Sequence, residues 1–294
     1  AGAAPPAGYA AVSPDSRGSD GSPSVELAAV AGGSGGLLRS GGSAGDLSGS
    51  AVSGAGDVNG DGLDDLIVGA LNDAPNGANS GTSFVVFGKA DGTAVELSDI
   101  EVGSGGFAIN GVSSDDRSGF SVSNAGDVNG DGLDDLIVGA YRDDPNGTDS
   151  GASFVVFGKA DGTAVELSDV EAGSGGFAIN GVSSADLSGF SVSGAGDVNG
   201  DGLDDLIVGV HLDDPNGSES GASFVVFGKA DGTTVELSDI EAGSGGFVII
   251  GAEANDSSGI AVSDAGAVNG DGLGDLLGGA AGGRPACRPS GARC

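Results

Sequence analysis

The sequence has no methionine and no tryptophan, two tyrosines, one histidine and two cysteines. A single histidine cannot serve as a catalytic base in each of several repeated units, which argues against a His-dependent hydrolase array. Both cysteines, Cys287 and Cys294, lie in the last eight residues, so no disulfide framework holds the rest of the chain. They either bridge one another in an oxidising compartment or stand as idle thiols. No apolar stretch reaches the ~18 residues that a membrane-crossing helix needs. Basic residues are scarce as well: 10 against 43 acidic ones, a formal net charge of −33. Such a chain is repelled by nucleic acid and by anionic membrane surfaces, and it attracts cations. The chain does not begin with Met and reads as a processed form or a fragment, so a secretory signal upstream would not be visible.

Glycine, by contrast, is abundant: 62 of 294 residues. Acidic, aromatic-poor chains are often disordered, yet the phenylalanines argue for a packed core. All 11 fall in four columns with a spacing of 70 residues: Phe84, Phe154 and Phe224; Phe87, Phe157 and Phe227; Phe107, Phe177 and Phe247; Phe120 and Phe190. A solvated chain has no physical reason to place its largest apolar groups in register. The same period relates Asp57, Asp127, Asp197 and Ala267, and the tripeptide Val-Glu-Leu that begins at Val25, Val95, Val165 and Val235. Four units follow: 25–94, 95–164, 165–234 and 235–280. Residues 1–24, rich in Ala, Gly, Ser and Pro, read as a disordered linker, and 281–294 as a non-repeat tail.

Each complete unit reads as four short strands. In the second unit and its continuation these are Phe120 to Ala125, Leu136 to Val138, Ser153 to Phe157 and Phe177 to Val182. Continuous apolar runs of this length suit strands covered on both faces. Turn formers such as Asp144-Pro145-Asn146-Gly147 separate them, and no segment carries a sustained helical period. The fold expected is all-β: β-propeller blades of four antiparallel strands, about four repeats of 70 residues, forming an incomplete propeller. An open β-solenoid is the rival, disfavoured because its coils are normally shorter. The fourth unit has only its first two strands. Gly36 to Gly42 aligns with a fourth strand and could complete that last blade from the N-terminal side, while its third strand has no counterpart in the sequence. Open blade edges of this kind invite self-association.

The chemistry is concentrated in Asp57-Val58-Asn59-Gly60-Asp61-Gly62-Leu63-Asp64-Asp65, repeated without change at 127–135 and 197–205. Oxygen-bearing side chains stand at positions 1, 3, 5 and 9, and Gly62 at position 6 permits the sharp turn that wraps them around one point. The carbonyl of Leu63 fills position 7. A hard cation such as Ca²⁺ takes about six to eight oxygens, and a divalent charge reverses the mutual repulsion of three carboxylates. The expected metal residues are therefore Asp57, Asn59, Asp61, Leu63 and Asp65; Asp127, Asn129, Asp131, Leu133 and Asp135; and Asp197, Asn199, Asp201, Leu203 and Asp205. A fourth loop keeps Asn269, Asp271 and Asp275 but has Ala267 at position 1, which should weaken or abolish binding. The alternative for each loop is a solvated acidic turn without metal. An EF-hand is excluded because position 12 is Val68, in an apolar run; a dockerin-type loop is excluded because strand residues follow directly.

These residues resemble the FG-GAP repeats of the integrin α-subunit propeller and its bacterial relatives. The likeness rests on Ser118-Gly119-Phe120-Ser121-Val122-Ser123, the Asp-Val-Asn-Gly-Asp-Gly loop, and Asp135-Leu136-Ile137-Val138-Gly139-Ala140, and it covers about 25–280. It implies Ca²⁺ held between two blade strands and a propeller surface used for extracellular ligand binding and adhesion. The first copy departs from the pattern with Gly49-Ser50, and four units fall short of the family's usual seven blades.

Other candidates are weaker. His211 shares its column with Leu71 and Tyr141, which makes a catalytic or ligating role improbable. Asp143-Asp144 and Asp213-Asp214 sit beside Pro-Asn-Gly turns and read as solvated loops rather than as a glycosidase pair. Asn146, Asn216 and Asn255 match the glycosylation pattern, which is frequent by chance. Lys89, Lys159 and Lys229 mark turn exits. The function expected is a calcium-binding, non-enzymatic module at the cell surface or outside the cell, binding a protein, glycan or cell-surface partner, with no nucleic acid and no membrane insertion. The alternatives are an architectural spacer of a large surface protein and, less favoured, a non-catalytic part of a secreted hydrolase.

Overall fold

The computed structural model describes residues 8–12, 36–40, 45–90 and 95–283. It is built almost wholly of β-structure. Strands β3 (Ser48–Gly56), β4 (Asp65–Ala70), β5 (Thr82–Val86) and β7 (Gly106–Asn110) form one antiparallel sheet. The same order recurs in β8 (Ser121–Gly126), β9 (Asp135–Ala140), β10 (Ala152–Val156) and β12 (Gly176–Asn180). A third copy comprises β13 (Ser191–Gly196), β14 (Asp205–Val210), β15 (Ala222–Val226) and β17 (Gly246–Ile250). Register repeats with the strands: Phe84 faces Val68, Phe154 faces Val138, and Phe224 faces Val208. First strands β3, β8 and β13 lie side by side, followed by β18 (Ser258–Gly266), as the inner strands of successive propeller blades do. β18 pairs with β19 (Asp275–Ala280) as a separate two-stranded sheet. Among the described residues the sheets do not close into a ring.

Two features differ from the four-strand expectation. A two-residue strand from the following unit adds in parallel to the edge of the first two blades: β11 (Val165–Glu166) beside β7, and β16 (Val235–Glu236) beside β12, while the third blade keeps four strands among the described residues. Short helices follow these strands: α1 (Leu97–Glu101), after β6 (Val95–Glu96), then α2 (Leu167–Glu171) and α3 (Leu237–Glu241). Each is about one turn and buries a pair spaced by three residues, such as Leu97 and Ile100. A single turn cannot generate a periodic signal in sequence, which is why the helices were not legible there.

The N-terminal region holds another surprise. Strand β1 (Gly8–Val12) lies inside the stretch read as linker and pairs antiparallel with β2 (Gly36–Ser40), which in turn runs parallel to β6. The rest of residues 1–24, and Cys287 and Cys294, lie outside the described residues.

The continuous apolar runs are explained by packing on both faces. Along β9, Leu136, Val138 and Ala140 join a cluster with Ile67, Val85, Phe107 and Ile109 of the preceding blade. The intervening Ile137 joins Val155, Phe177 and Ile179 against Leu206, Val208 and Phe224 of the next. Consecutive residues thus face alternate neighbours, and both sides are core. All but one of the phenylalanines are buried or half-buried. Phe247 is the exception: it is 40% exposed where Phe107 and Phe177 are fully covered, because the following two-stranded sheet does not extend over it.

Close blade approach needs glycine at one column. A Cβ on Gly139 would lie 2.2 Å from the carbonyl oxygen of Gly189 in the adjacent blade, and Gly69 and Gly209 meet Gly119 and Gly259 in the same way. Gly139→Ala should therefore force the backbones apart and cost on the order of 1–3 kcal/mol. Equilibrium urea unfolding would register this, and an unchanged midpoint would show that the junction is looser than its geometry.

Candidate metal centre

Each Asp-Val-Asn-Gly-Asp-Gly loop joins the first and second strands of a blade: 57–65 links β3 to β4, 127–135 links β8 to β9, and 197–205 links β13 to β14. The turn is made at glycines in the left-handed region, Gly62, Gly132 and Gly202, with φ of +87°, +90° and +91°. A β-carbon would strain that conformation. Acidic side chains bind the wrapped backbone. In the second loop Asp127 Oδ1 accepts from the amides of Gly130 at 2.8 Å and Asp131 at 3.0 Å, while its Oδ2 accepts from Gly132 at 3.0 Å. Asn129 Oδ1 accepts from the Asp131 amide at 2.7 Å, and Asp131 Oδ1 from the Leu133 amide at 2.9 Å. The first and third loops repeat this set at Asp57, Asn59 and Asp61, and at Asp197, Asn199 and Asp201. Side chains from positions 1, 3 and 5 are thereby folded inward over one turn, with Leu63, Leu133 and Leu203 at position 7.

Position 9 is different in kind. Asp65, Asp135 and Asp205 are fully buried. Asp135 Oδ2 accepts from the Val128 amide at 3.0 Å and Oδ1 from the Gly158 amide at 2.8 Å, so one carboxylate ties the loop to the exit of β10. Asp65 and Asp205 make the same pair of bonds. Burial pushes the Asp135 carboxyl up to about 7 and that of Asp65 to about 6, with Asp131 and Asp127, or Asp61 and Asp57, raising them further by charge repulsion. The Asp205 carboxyl is raised by the same causes. A buried carboxylate surrounded by like charge is an arrangement that a bound cation would relieve.

The donor chemistry is of the kind that a hard divalent ion takes. The donor set is all oxygen, the loop is already wrapped, and the buried member lacks a compensating charge in the interactions acting on it. The side chains of positions 1, 3 and 5 are held in place by backbone amides that leave lone pairs free, since a carboxylate has about four acceptor sites. Among the described residues, no three Asp, Glu, His or Cys groups stand gathered as a finished metal cluster.

The fourth loop shows what position 1 does. With Ala267 there, the amides that Asp127 would hold lose their acceptor; only the Asn269–Asp271, Asp271–Leu273 and Asn269–Asp275 bonds remain. Val268 is 75% exposed at the open end of the stack, where Val58 and Val128 are fully buried and Val198, its loop intact, is half-buried.

Asp64 stands outside the expected ligand set, and its equivalents connect the loops. Asp134 Oδ2 accepts from the Asp57 amide at 2.7 Å, and Asp204 Oδ2 accepts from the Asp127 amide at 2.9 Å. Position 8 of one loop thus caps the start of the loop before it. At the last junction the residue is Gly274, and only its amide bonds back, to the Asp197 carbonyl at 2.9 Å. The Asp-Asp doublet in three copies and its loss in the degenerate one was the available signal.

Two other regions differ from expectation. Asp143 is buried rather than solvated; its Oδ1 accepts from the Asp144 amide and its Oδ2 has no partner. His211 is also buried, its ring tilted at 48° against Phe190 with centroids 4.3 Å apart, at the end of a row that runs through Phe120 and Tyr141. Burial lowers its pKa, which accords with a packing role.

The FG-GAP repeat family matches residues 48–86, 118–156 and 188–226, each segment spanning three blade strands and one acidic loop. The chain is an FG-GAP repeat protein. Its similarity to integrin α-subunits is spread over several repeats. It is 31% identical to integrin alpha-4 of Xenopus laevis over 161 residues, covering 54% of this chain and 14% of that protein. It is 31% identical to integrin alpha-PS2 of Drosophila melanogaster over 166 residues, 54% of this chain and 11% of that protein. A shorter match, 36% over 94 residues, is to integrin alpha pat-2 of Caenorhabditis elegans, covering 32% of this chain and 7% of that protein. The FG-GAP chain therefore spans less than a fifth of the length of these relatives. It is integrin-α-like in its repeats, and no helix among its described residues is long and apolar enough to cross a membrane.

Proposed function

We propose that this FG-GAP protein is a calcium-stabilised binding module of an extracellular or cell-surface protein, and that it is not an enzyme. The observation that carries the reading is the buried aspartate at position 9 of three identical loops, fixed by two backbone amides and under repulsion from its own loop. Asp57, Asn59, Asp61, the Leu63 carbonyl and Asp65 would hold one ion, and residues 70 and 140 further on would hold two more. The ion would supply positive charge that offsets the carboxylate repulsion and would pin the first two strands of each blade. Binding to the folded loops alone stabilises the fold by mass action, about 2.7 kcal/mol at a hundredfold excess over Kd. We assign no site to Asn269, Asp271 and Asp275.

Calorimetric titration of the chelated protein with Ca²⁺ should give three equivalents, and Asp131→Ala should give two while the melting temperature still rises on addition. Absence of heat together with an unchanged melting curve would remove calcium from the reading. The binding partner is read as an extracellular protein or glycan on the strength of the integrin-like repeats. Near-identity of the units favours a second reading, a spacer with no specific ligand. Pull-down from extracellular material separates them: specific, calcium-dependent capture supports a binding module, and its absence supports the spacer.

A further inference from the structure

Strand topology shows that the chain carries two halves of one blade, one near each end of the stack. β1 and β2 pair with the register of third and fourth strands: Gly8 faces Ser40 and Val12 faces Gly36, as Ala152 faces Asn180 and Val156 faces Gly176. The outer neighbour agrees. β2 takes β6 in parallel through Arg39 and Val95, as β7 takes β11 through Ile109 and Val165 and β12 takes β16 through Ile179 and Val235. At the other end, β18 and β19 repeat the register of a first and second strand, Ser258 facing Ala280 as Ser48 faces Ala70. Among the described residues, β19 has no third strand on its outer side, and β1 has no second strand on its outer side.

Each free edge is the type of partner that the other lacks. The second-to-third-strand pairing is made inside the chain three times, by β4–β5, β9–β10 and β14–β15. Three complete blades separate β1 from β19 in the stack, and the two half-blades belong to different sheets. Side-chain exposure marks the gap at the C-terminal end. Leu277 is 64% exposed, and Ile249 is 42% exposed where Ile109 and Ile179 are fully buried. In the complete junctions, the cover over those positions includes third- and fourth-strand residues, such as Phe154 and Ala178 against Phe107 and Ile109.

We propose that a second copy of this chain supplies the missing half: β19 of one copy pairs with β1 of the next, making a composite blade head to tail. The proposal stands on strand register and does not depend on the calcium reading. Transferring the β9–β10 register, Ala10 faces Gly278 and Val12 faces Leu276. A net charge of −33 on each copy opposes the contact, so added salt should strengthen it through screening.

The test uses the full chain with Cys287→Ser and Cys294→Ser. One preparation carries Ala10→Cys and the other Gly278→Cys. Mixed under mild oxidation, they should form a disulfide-linked pair of twice the chain mass, while light scattering of the unsubstituted chain should show a mass above 27.6 kDa that rises with concentration and salt. Leu277→Lys combined with Gly278→Pro should hold the chain at its own mass with its circular dichroism unchanged, since the edge is blocked and the three complete blades are untouched. A chain that stays at its own mass at every concentration overturns the proposal. So does an intrachain disulfide in the dilute Ala10→Cys, Gly278→Cys double variant, which would assign the pairing to closure within one copy.

Discussion

In the presence of a chelator, the protein should melt at a higher temperature at pH 5 than at pH 8. Five buried or half-buried aspartates lie well above the ordinary 3.8. Asp135 and Asp143 are pushed up to about 7, and Asp65, Asp116 and Asp186 to about 6. Burial is the largest cause in every case. Neighbouring carboxylates add to it: Asp116 acts on Asp143, and Asp213 on Asp186. Between about pH 4 and pH 7 the folded chain retains protons that the unfolded chain releases. Stability therefore falls as pH rises through that window and levels off above it. Each tenfold difference in proton affinity corresponds to about 1.4 kcal/mol, and a domain of this size shifts by roughly 2–4 °C per kcal/mol, so the difference should be many degrees. With millimolar Ca²⁺ present the contrast should shrink, because an ion at the proposed sites keeps Asp65, Asp135 and Asp205 ionised in the fold. A chelated protein equally heat-resistant at both pH values would mean that these carboxylates are better solvated than their burial indicates.

Asp135→Ala should be the most damaging single substitution in the middle blade. It leaves the half-buried Gly158 amide without its acceptor, worth about 1–3 kcal/mol, and costs the Val128 amide one of two bonds, the Gly126 carbonyl at 3.1 Å remaining, worth about 1 kcal/mol; it also removes one proposed calcium ligand. The loss expected is roughly 2–4 kcal/mol in chelator, read by urea unfolding. Asp131→Ala, in the exposed part of the same loop, should cost far less without calcium and should matter chiefly to titration stoichiometry. Equal losses for the two variants would show that position 9 has no special structural role.

Much of this was legible because the protein repeats itself. The 70-residue register located the strands to within one or two residues, and the apolar runs announced blades covered on both faces, as Leu136, Ile137 and Val138 show by facing alternate neighbours. The acidic loops were found from spacing alone, and their backbone wrapping around Asp127, Asn129 and Asp131 follows from the same alternation. What spacing could not reveal were contacts between repeats. Asp134 reaches an amide 77 residues away, a distance at which no local pattern operates. Asp143 looked like a turn residue because its neighbours are turn formers, yet the loop it sits on is pressed into the fold. The helices were too short to have a period, and β1 was hidden in a stretch whose Ala, Gly and Pro content masked a five-residue strand.

The aspartate caps between loops give the array a direction. Asp134 fastens the first loop and Asp204 the second, while Gly274 offers the third only a backbone amide. Heat or denaturant should therefore peel the molecule from the β18–β19 side, one blade after another, rather than from its centre. Amide hydrogen–deuterium exchange should trace that fraying as a gradient, fastest in β19 and slowest in β9 and β10.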